Sequence, residues 1–534
     1  MLEARWATAE AEALDVINRQ AINEYLDREL DSWLWMKKLR REALEAELRC
    51  FRVQPKFKTR PWLHQLACFY LGMCQPQFLF LLKMGLGKTK ILADLMTQAQ
   101  RERTMTKALI TVPHVINMGS WRDDLEQHSD LEPMVCDVSD IEEKWERLAN
   151  PGTCDVTVIN YQGLALAVST KKNAKKGKKL VRDEKKIRHL QKLYDFIGID
   201  ESHYLKGKDT HWFGIMHQLT KGANHVYGST GTLFGKDPAD VWSQFYLVDQ
   251  GETFSDSFGL FRGAFFSAES NGFGLEYTFL KRRMADLNKM IGHRSIRYDY
   301  DDVDDIDLPT RVNVVQTVEF REEQRAHYLR ALQGLIDAQG GGSSGLEAPW
   351  IRMRQIIAGY LAWNDARGSH VVRFKENPKL EALEALLEDL GDDKLVVCHE
   401  YTETGKLITE RLTELKIKHV WLYGGTKDKA ACRDTFMADP ACRVFVMNSK
   451  AGGTGNDGLQ KVCRYMCFYE SPTTPTVREQ TISRLHRPGQ RERVFVYDLV
   501  LKRSTDKGIL EDIAAGRDMY EAIISGRRLR QEIR

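Results

Sequence analysis

Residues 83–89 read KMGLGKT, and they constrain what lies on either side of them. An apolar run at 78–82 (FLFLL) is short enough for a buried strand, and residues 90–100 follow with Ile91, Leu92 and Leu95 at helical spacing. A glycine-rich turn between strand and helix is the setting in which GKT signifies phosphate binding. The glycines let the backbone wrap with its N–H groups inward, and the helix start adds positive potential where a polyphosphate would sit. In this reading Met84, Gly85, Leu86 and Gly87 form the loop, Lys88 reaches the outer phosphates, and the Thr89 hydroxyl ligates Mg²⁺. The full pattern has another glycine six residues before the lysine, where this chain has Leu82. The bland alternative is a glycine turn with a solvated lysine.

A chain of 534 residues has room for three or four domains. Its net charge of +3 carries no global basic signature, so any nucleic-acid surface must be local. The ten cysteines lack paired spacing; Cys463 and Cys467 are the nearest pair, with no His/Cys cluster beside them. Buried thiols in a reducing compartment are expected. No run approaches eighteen apolar residues, and the N-terminus lacks a basic start and apolar core, so neither a membrane span nor a signal peptide is expected.

Residues 1–54 are rich in Ala, Glu, Leu and Arg and read as a helical appendage. Beyond them, apolar β-branched runs at 108–112, 156–160, 196–200 and 225–228 alternate with helical stretches, each run ending in polar or glycine residues. That alternation argues an α/β fold with a parallel sheet, whose ligands gather beyond the strand carboxyl ends. Residues 171–188 interrupt it with Lys171, Lys172, Lys175, Lys176, Lys178 and Lys179 and no apolar period. We read a mobile basic loop, either a solvated charge run or an electrostatic grip on nucleic acid. The acidic stretch 299–307 is the expected seam between a first lobe (55–300) and a second (301–534). QGGGSSG at 339–345 caps a helical excursion. The second lobe repeats the alternation, with strands at 394–399, 418–423, 443–448, 464–469 and 494–499 and a helix near 476–485.

Asp200-Glu201 closes the apolar run FIGI downstream of the phosphate loop. Asp200 can hold the Mg²⁺ that bridges phosphates, and Glu201 can orient and deprotonate an attacking water. The alternative is an acidic turn facing solvent. Residues 480–490 read QTISRLHRPGQ, placing Arg484 and Arg487 three apart, as neighbours on a helix face. Two guanidiniums beside a nucleotide would neutralise charge growing on the γ-phosphate. Alone, such spacing is equally that of a basic surface helix.

Taken in order, these motifs resemble a superfamily-two helicase motor, most closely the Swi/Snf-type DNA translocases and their annealing-helicase branch, over roughly residues 56–512. Gln65 resembles the adenine-recognising glutamine, 83–89 the first nucleotide motif and DESH at 200–203 the DEAH box. STGT at 229–232 resembles the coupling motif, with Thr230, Gly231 and Thr232; SKAGGTG at 449–455, with Gly455, resembles the fifth motif, and 480–490, with Gln480 and Gln490, the sixth. Leu308-Pro309 followed by Gln324 and Tyr328, and Arg354-Gln355-Ile356, resemble the family's inter-lobe stretch and second-lobe protrusion. The chain departs from the pattern at Leu82 and Lys83, where an acidic pair is usual, at Ser202 of DESH, and at Asn456-Asp457-Gly458.

The resemblance implies two tandem RecA-like lobes with parallel sheets and helical insertions, closing on ATP and Mg²⁺, and movement along duplex or branched DNA without sequence preference. Backbone contacts are expected near Thr111, Tyr161, Thr426 and Ser449, at strand ends, with the lysines at 171–176 adding salt-sensitive attraction. The implied molecule is a monomer with no membrane association, in a bacterial or viral-host cytoplasm, or in a nucleus if eukaryotic. Two other readings stay open. One is a strand-separating DNA or RNA helicase, although 458–480 leaves little room for a wedge. The other is a nucleotide-switched scaffold that does not turn over.

Overall fold

The computed structural model describes residues 33–516, except 175–176, 232, 234–237, 271–274, 304–307, 338–342, 366–367, 427 and 453–457. The chain divides into two compact units, Met1–Ile306 and Asp307–Arg534.

In the first unit the strands are β1 (Gln77–Leu82), β2 (Ala108–Val112), β3 (Pro133–Val135), β4 (Val156–Asn160), β5 (Ser169–Ala174), β6 (Gly177–Arg182), β7 (Phe196–Asp200), β8 (His225–Thr230), β9 (Phe266–Ser270), β10 (Leu275–Phe279) and β11 (Ser295–Tyr298). Seven of them form one sheet in the order β11-β1-β8-β7-β2-β4-β3, and every pairing in it is parallel. The apolar runs are continuous because both sheet faces are covered. Along β1, Leu79 and Leu81 enter one core with Ile197, Ile199 and Val226. Phe78, Phe80 and Leu82 enter the other with Ile110, Val158 and Tyr227.

The second unit holds β12 (Arg311–Val318), β13 (Tyr360–Asp365), β14 (Gly368–Arg373), β15 (Leu395–His399), β16 (His419–Leu422), β17 (Val444–Asn448), β18 (Tyr465–Phe468) and β19 (Val494–Leu501). Six make a second all-parallel sheet, β12-β19-β18-β15-β17-β16. Alternate residues again divide between two cores: Leu395 and Val397 on one face, Val396 and Cys398 on the other. The helices Glu322–Asp337 and Ser343–Ala358 form the excursion, seated by Tyr328, Trp350, Met353 and Ile357 against Leu501 and Ile509.

Several expectations change. The basic stretch 171–188 is not a loop: β5 and β6 pair antiparallel from Ser169↔Arg182 to Ala174↔Gly177, and the helix Glu184–Leu193 follows, capped by the Asp183 carboxylate. A two-stranded ribbon is held by its backbone ladder, so it left no apolar period to read. Lys175 and Lys176 lie outside the described residues. Edge strands β3, β11 and β12 and the hairpins β9–β10 and β13–β14 add to the expected strands. Of the N-terminal appendage, the described part is a short 3₁₀ turn, Trp33–Lys38, and the helix Arg41–Leu48. Residues 1–32 and part of the 339–345 stretch lie outside the described residues. All ten cysteines are free thiols. Among the described residues no helix is long and apolar enough to cross a membrane.

Candidate functional site

The glycine turn leaves β1 and enters the helix Lys88–Arg101. Gly85 (φ 84°) and Gly87 (φ 75°) occupy the left-handed region, which a glycine adopts without steric cost. Between them Leu86 is buried and anchors the turn in the core. Its carbonyl accepts from His64 Nε2 at 2.8 Å and from Gln65 Nε2 at 3.3 Å. Gln65 Oε1 in turn accepts from the Trp62 backbone N–H at 2.9 Å. The residue assigned to adenine thus braces the phosphate loop here. A β-carbon on Gly87 would stand 2.1 Å from Gln65 Nε2. The Tyr300 hydroxyl donates to the Met84 carbonyl at 2.6 Å. The first amides of the helix, at Lys88 and Thr89, have no carbonyl one turn behind them inside it. These features fit an anion in the turn.

Asp200 ends β7, and Glu201 follows with φ 50°, a left-handed residue that turns its side chain back toward the loop. Lys88 Nζ donates to Glu201 Oε1 at 2.8 Å. Glu201 Oε2 accepts from the Thr230 hydroxyl at 3.2 Å and lies 3.2 Å from His203 Nδ1. Asp200 is gripped by other donors: Ser229 Oγ on Oδ1 and Trp121 Nε1 on Oδ2, both at 3.0 Å. Burial, and then the charge of Glu201, push the Asp200 carboxyl above its ordinary range, against Lys88. Burial also acts to raise Glu201, but Lys88 and then His203 outweigh it and hold that carboxyl well below its ordinary range. Glu201 is therefore the ionised partner of the lysine. A β-carbon on Gly231 would meet the Leu82 carbonyl at 3.3 Å and Lys88 Nζ at 3.8 Å, so Gly231 lies against the loop. The Thr89 hydroxyl and the Asp200 carboxylate are oxygen donors of the kind Mg²⁺ takes, one or two from the protein beside phosphates and water.

In the second unit the helix Pro475–Ile482 ends before Arg484, so Arg484 and Arg487 do not share a helix face as expected. They lie in the turn that follows, where Pro488 and Gly489 (φ 93°) cannot continue a helix. Arg484 is buried and Arg487 half-buried. That turn is held by Gln490, whose Nε2 donates to the Cys463 carbonyl at 3.0 Å and whose Oε1 accepts from the N–H groups of Arg491 and Glu492. Gln490 is thus a loop brace in this structure. Gln480 is half-buried on the helix.

Three of the expected backbone contacts are enclosed. Thr111 is fully buried and donates to the Gly198 carbonyl at 3.2 Å. Tyr161 is buried against Trp212 and donates to the Asp200 carbonyl at 2.6 Å. Ser449 is also fully buried, its hydroxyl 3.5 Å from the His399 carbonyl. Strand ends in a covered sheet must satisfy their own polar groups, and these hydroxyls do so internally. Thr426 is half-buried, accepting from the Tyr423 N–H at 3.0 Å and donating to the Trp421 carbonyl at 3.2 Å. Thr232, Gly455, Lys175 and Lys176 lie outside the described residues; Lys171 and Lys172 are carried on β5.

A family model described as the SNF2-related domain matches residues 34–361, more than half of the chain. The chain belongs to that family. Among relatives it is similar to the chromatin-remodeling ATPase INO80 of Vanderwaltozyma polyspora, 26% identical over 163 residues, which is 30% of this chain and 10% of that protein. INO80 of Debaryomyces hansenii is 29% identical over 170 residues, 31% of this chain and 12% of that protein. The chain thus spans about a tenth of the length of the curated relatives it matches. Among solved structures, the Sulfolobus solfataricus SWI2/SNF2 ATPase core in complex with dsDNA matches with a TM-score of 0.38 at 18% identity, covering 89% of this chain and 95% of that one.

Sequence reasoning missed two supports of the first unit's site and one of the arginine turn in the second unit. Trp121 lies on the helix Val115–His128, and nothing in its local pattern says that its indole reaches Asp200. Ser229 stood inside STGT without an assigned partner. Arg478 forms a buried bidentate pair with Asp498 at 2.7 Å and lies over the Phe468 ring, fixing the helix that precedes the two arginines. Basic spacing could have nominated Arg478, but only the fold supplies its carboxylate.

Proposed function

We propose that this chain is an ATP-driven motor that hydrolyses ATP with Mg²⁺ and moves along duplex DNA without reading its sequence. The observation that carries this reading is the convergence of Lys88, Glu201, Asp200 and Thr230 at the glycine turn. Lys88 attracts the outer phosphates, and Glu201, ionised and aimed by Thr230 and His203, takes a proton from the attacking water. Asp200 and Thr89 would hold Mg²⁺, which would supply charge neutralisation at the phosphates. From the order of the motifs alone, Arg484 and Arg487 are the guanidiniums we assign to the charge that grows on the γ-phosphate, a role worth ~10³–10⁵ in rate in comparable enzymes.

Family membership and relatives named as ATPases support turnover. The lysine-rich ribbon β5–β6 supports electrostatic attraction to a phosphate backbone. A monomer in a DNA-containing compartment, bacterial cytoplasm or nucleus, is the setting we infer. The deciding experiment measures phosphate release with duplex DNA, single-stranded DNA and no DNA, together with triplex displacement and fork unwinding. Duplex stimulation with triplex displacement is expected. Stimulation by single strands with unwinding would replace translocation by strand separation, and no turnover at all would leave a nucleotide-switched scaffold.

A further inference from the structure

Ser202 lies between Glu201 and His203, where the family pattern has alanine. It is buried, and its hydroxyl donates to Gln244 Oε1 at 2.8 Å. Gln244 is fully buried on the helix Asp240–Asp249. Its Nε2 donates onward to the Leu233 carbonyl, and to the Asp240 carbonyl at 3.1 Å. The same helix grips the turn twice more, through Ser243 Oγ on the Lys206 carbonyl and through Asp240 with Lys206 Nζ at 3.2 Å. Leu233 is three residues past Thr230, whose hydroxyl touches Glu201. One buried carboxamide therefore joins the turn that carries Glu201 to the segment that follows the coupling motif.

We propose that Ser202 and Gln244 are a positioning pair, which keeps Glu201 in register with Thr230 and Leu233 so that displacement of Leu233 changes the aim of the carboxylate. The proposal rests on the ATPase reading above. A hydroxyl that donates to a carboxamide oxygen, with the carboxamide nitrogen donating onward to carbonyls, has one favoured arrangement, whereas two apolar side chains would tolerate sliding. Neither residue is assigned to nucleotide; both act through Glu201.

The test compares Gln244→Met, which conserves length, with Ser202→Ala/Gln244→Met. Gln244→Met strands the Ser202 hydroxyl, so its melting temperature falls. Its duplex-stimulated kcat is expected to drop about 10–100-fold, the cost of misplacing a catalytic group. The KM for ATP stays within about twofold, since binding is not what the pair supports. Adding Ser202→Ala removes the stranded hydroxyl; melting temperature recovers and kcat stays low. Recovery of kcat along with melting temperature, or no drop in either variant, overturns the proposal. Should Gln244→Met alone not fold, the double variant carries the test. Wild-type turnover is measured first: its absence sinks the ATPase reading, whereas wild-type turnover with an unaffected double variant sinks the positioning pair alone.

Discussion

Glu201→Gln separates two jobs that the structure gives one carboxylate. The side chain keeps its shape and its reach to Thr230 and His203, but it loses the charge that pairs with Lys88 Nζ at 2.8 Å. That pair is 10% and 16% exposed, so water screens it weakly. A charge-assisted hydrogen bond of this kind contributes about 1.5–3 kcal/mol. A phosphate that recruits Lys88 competes with the carboxylate for it. Removing the competitor should return about 1.4 kcal/mol of this to ATP, tightening its Kd about tenfold. Losing the base should lower kcat by ~10²–10⁴. Titration with a fluorescent ATP analogue reads the first effect, and steady-state phosphate release with duplex DNA reads the second. Wild-type turnover in the variant would make Glu201 a bystander, and an unchanged Kd would refute the competition for Lys88.

Burial holds the His399 imidazole at about 4, against the opposing pull of the Tyr401 carbonyl. The ring is neutral, donating from Nδ1 to that carbonyl and accepting from Trp421 Nε1 at 3.0 Å. Its folded pKa lies below its unfolded value of about 6.5, so the unfolded chain binds the extra proton first. Stability is full above pH 6.5, falls by roughly 3 kcal/mol as pH drops to about 4, and then levels. Urea unfolding across that window should show the loss in wild type and less of it in His399→Gln; equal slopes would remove His399 as the cause. Gly87→Ala, which meets Gln65 Nε2 and keeps φ 75°, should cost about 1–3 kcal/mol and weaken ATP binding. Gly152→Ala, with φ 60° and open space around it, should cost less and leave binding alone; equal effects would mean that the Gln65 contact is irrelevant. Replacing Lys171, Lys172, Lys178 and Lys179 by Gln should flatten the log–log salt dependence of duplex binding by ~0.9 for each phosphate that is no longer neutralised. An unaltered slope would return the ribbon to solvent.

The motifs were legible because their chemistry is local. A glycine turn needs its glycines in sequence, and the carboxylates follow their strand directly. The parallel sheets were legible too, since strands covered on both faces read as unbroken apolar runs. Hairpins such as β5–β6, held by backbone pairing, left no such trace. Nor did the helix end at Ile482, which moves Arg484 and Arg487 off a common face.

By itself the sequence determined which groups are the candidates to act: the lysine, the two carboxylates and the arginines, in an order that places them near strand ends. Tertiary structure decided which of them are free to act and what aims them. Thr111, Tyr161 and Ser449 stand at strand ends in the sequence, and the fold encloses them and directs their hydroxyls to internal carbonyls. Trp121 and Ser229 look like ordinary core and turn residues until they hold Asp200 from both sides. The reason is physical: a residue's chemistry is written in its side chain, but its desolvation and its hydrogen-bond partners come from segments tens of residues away.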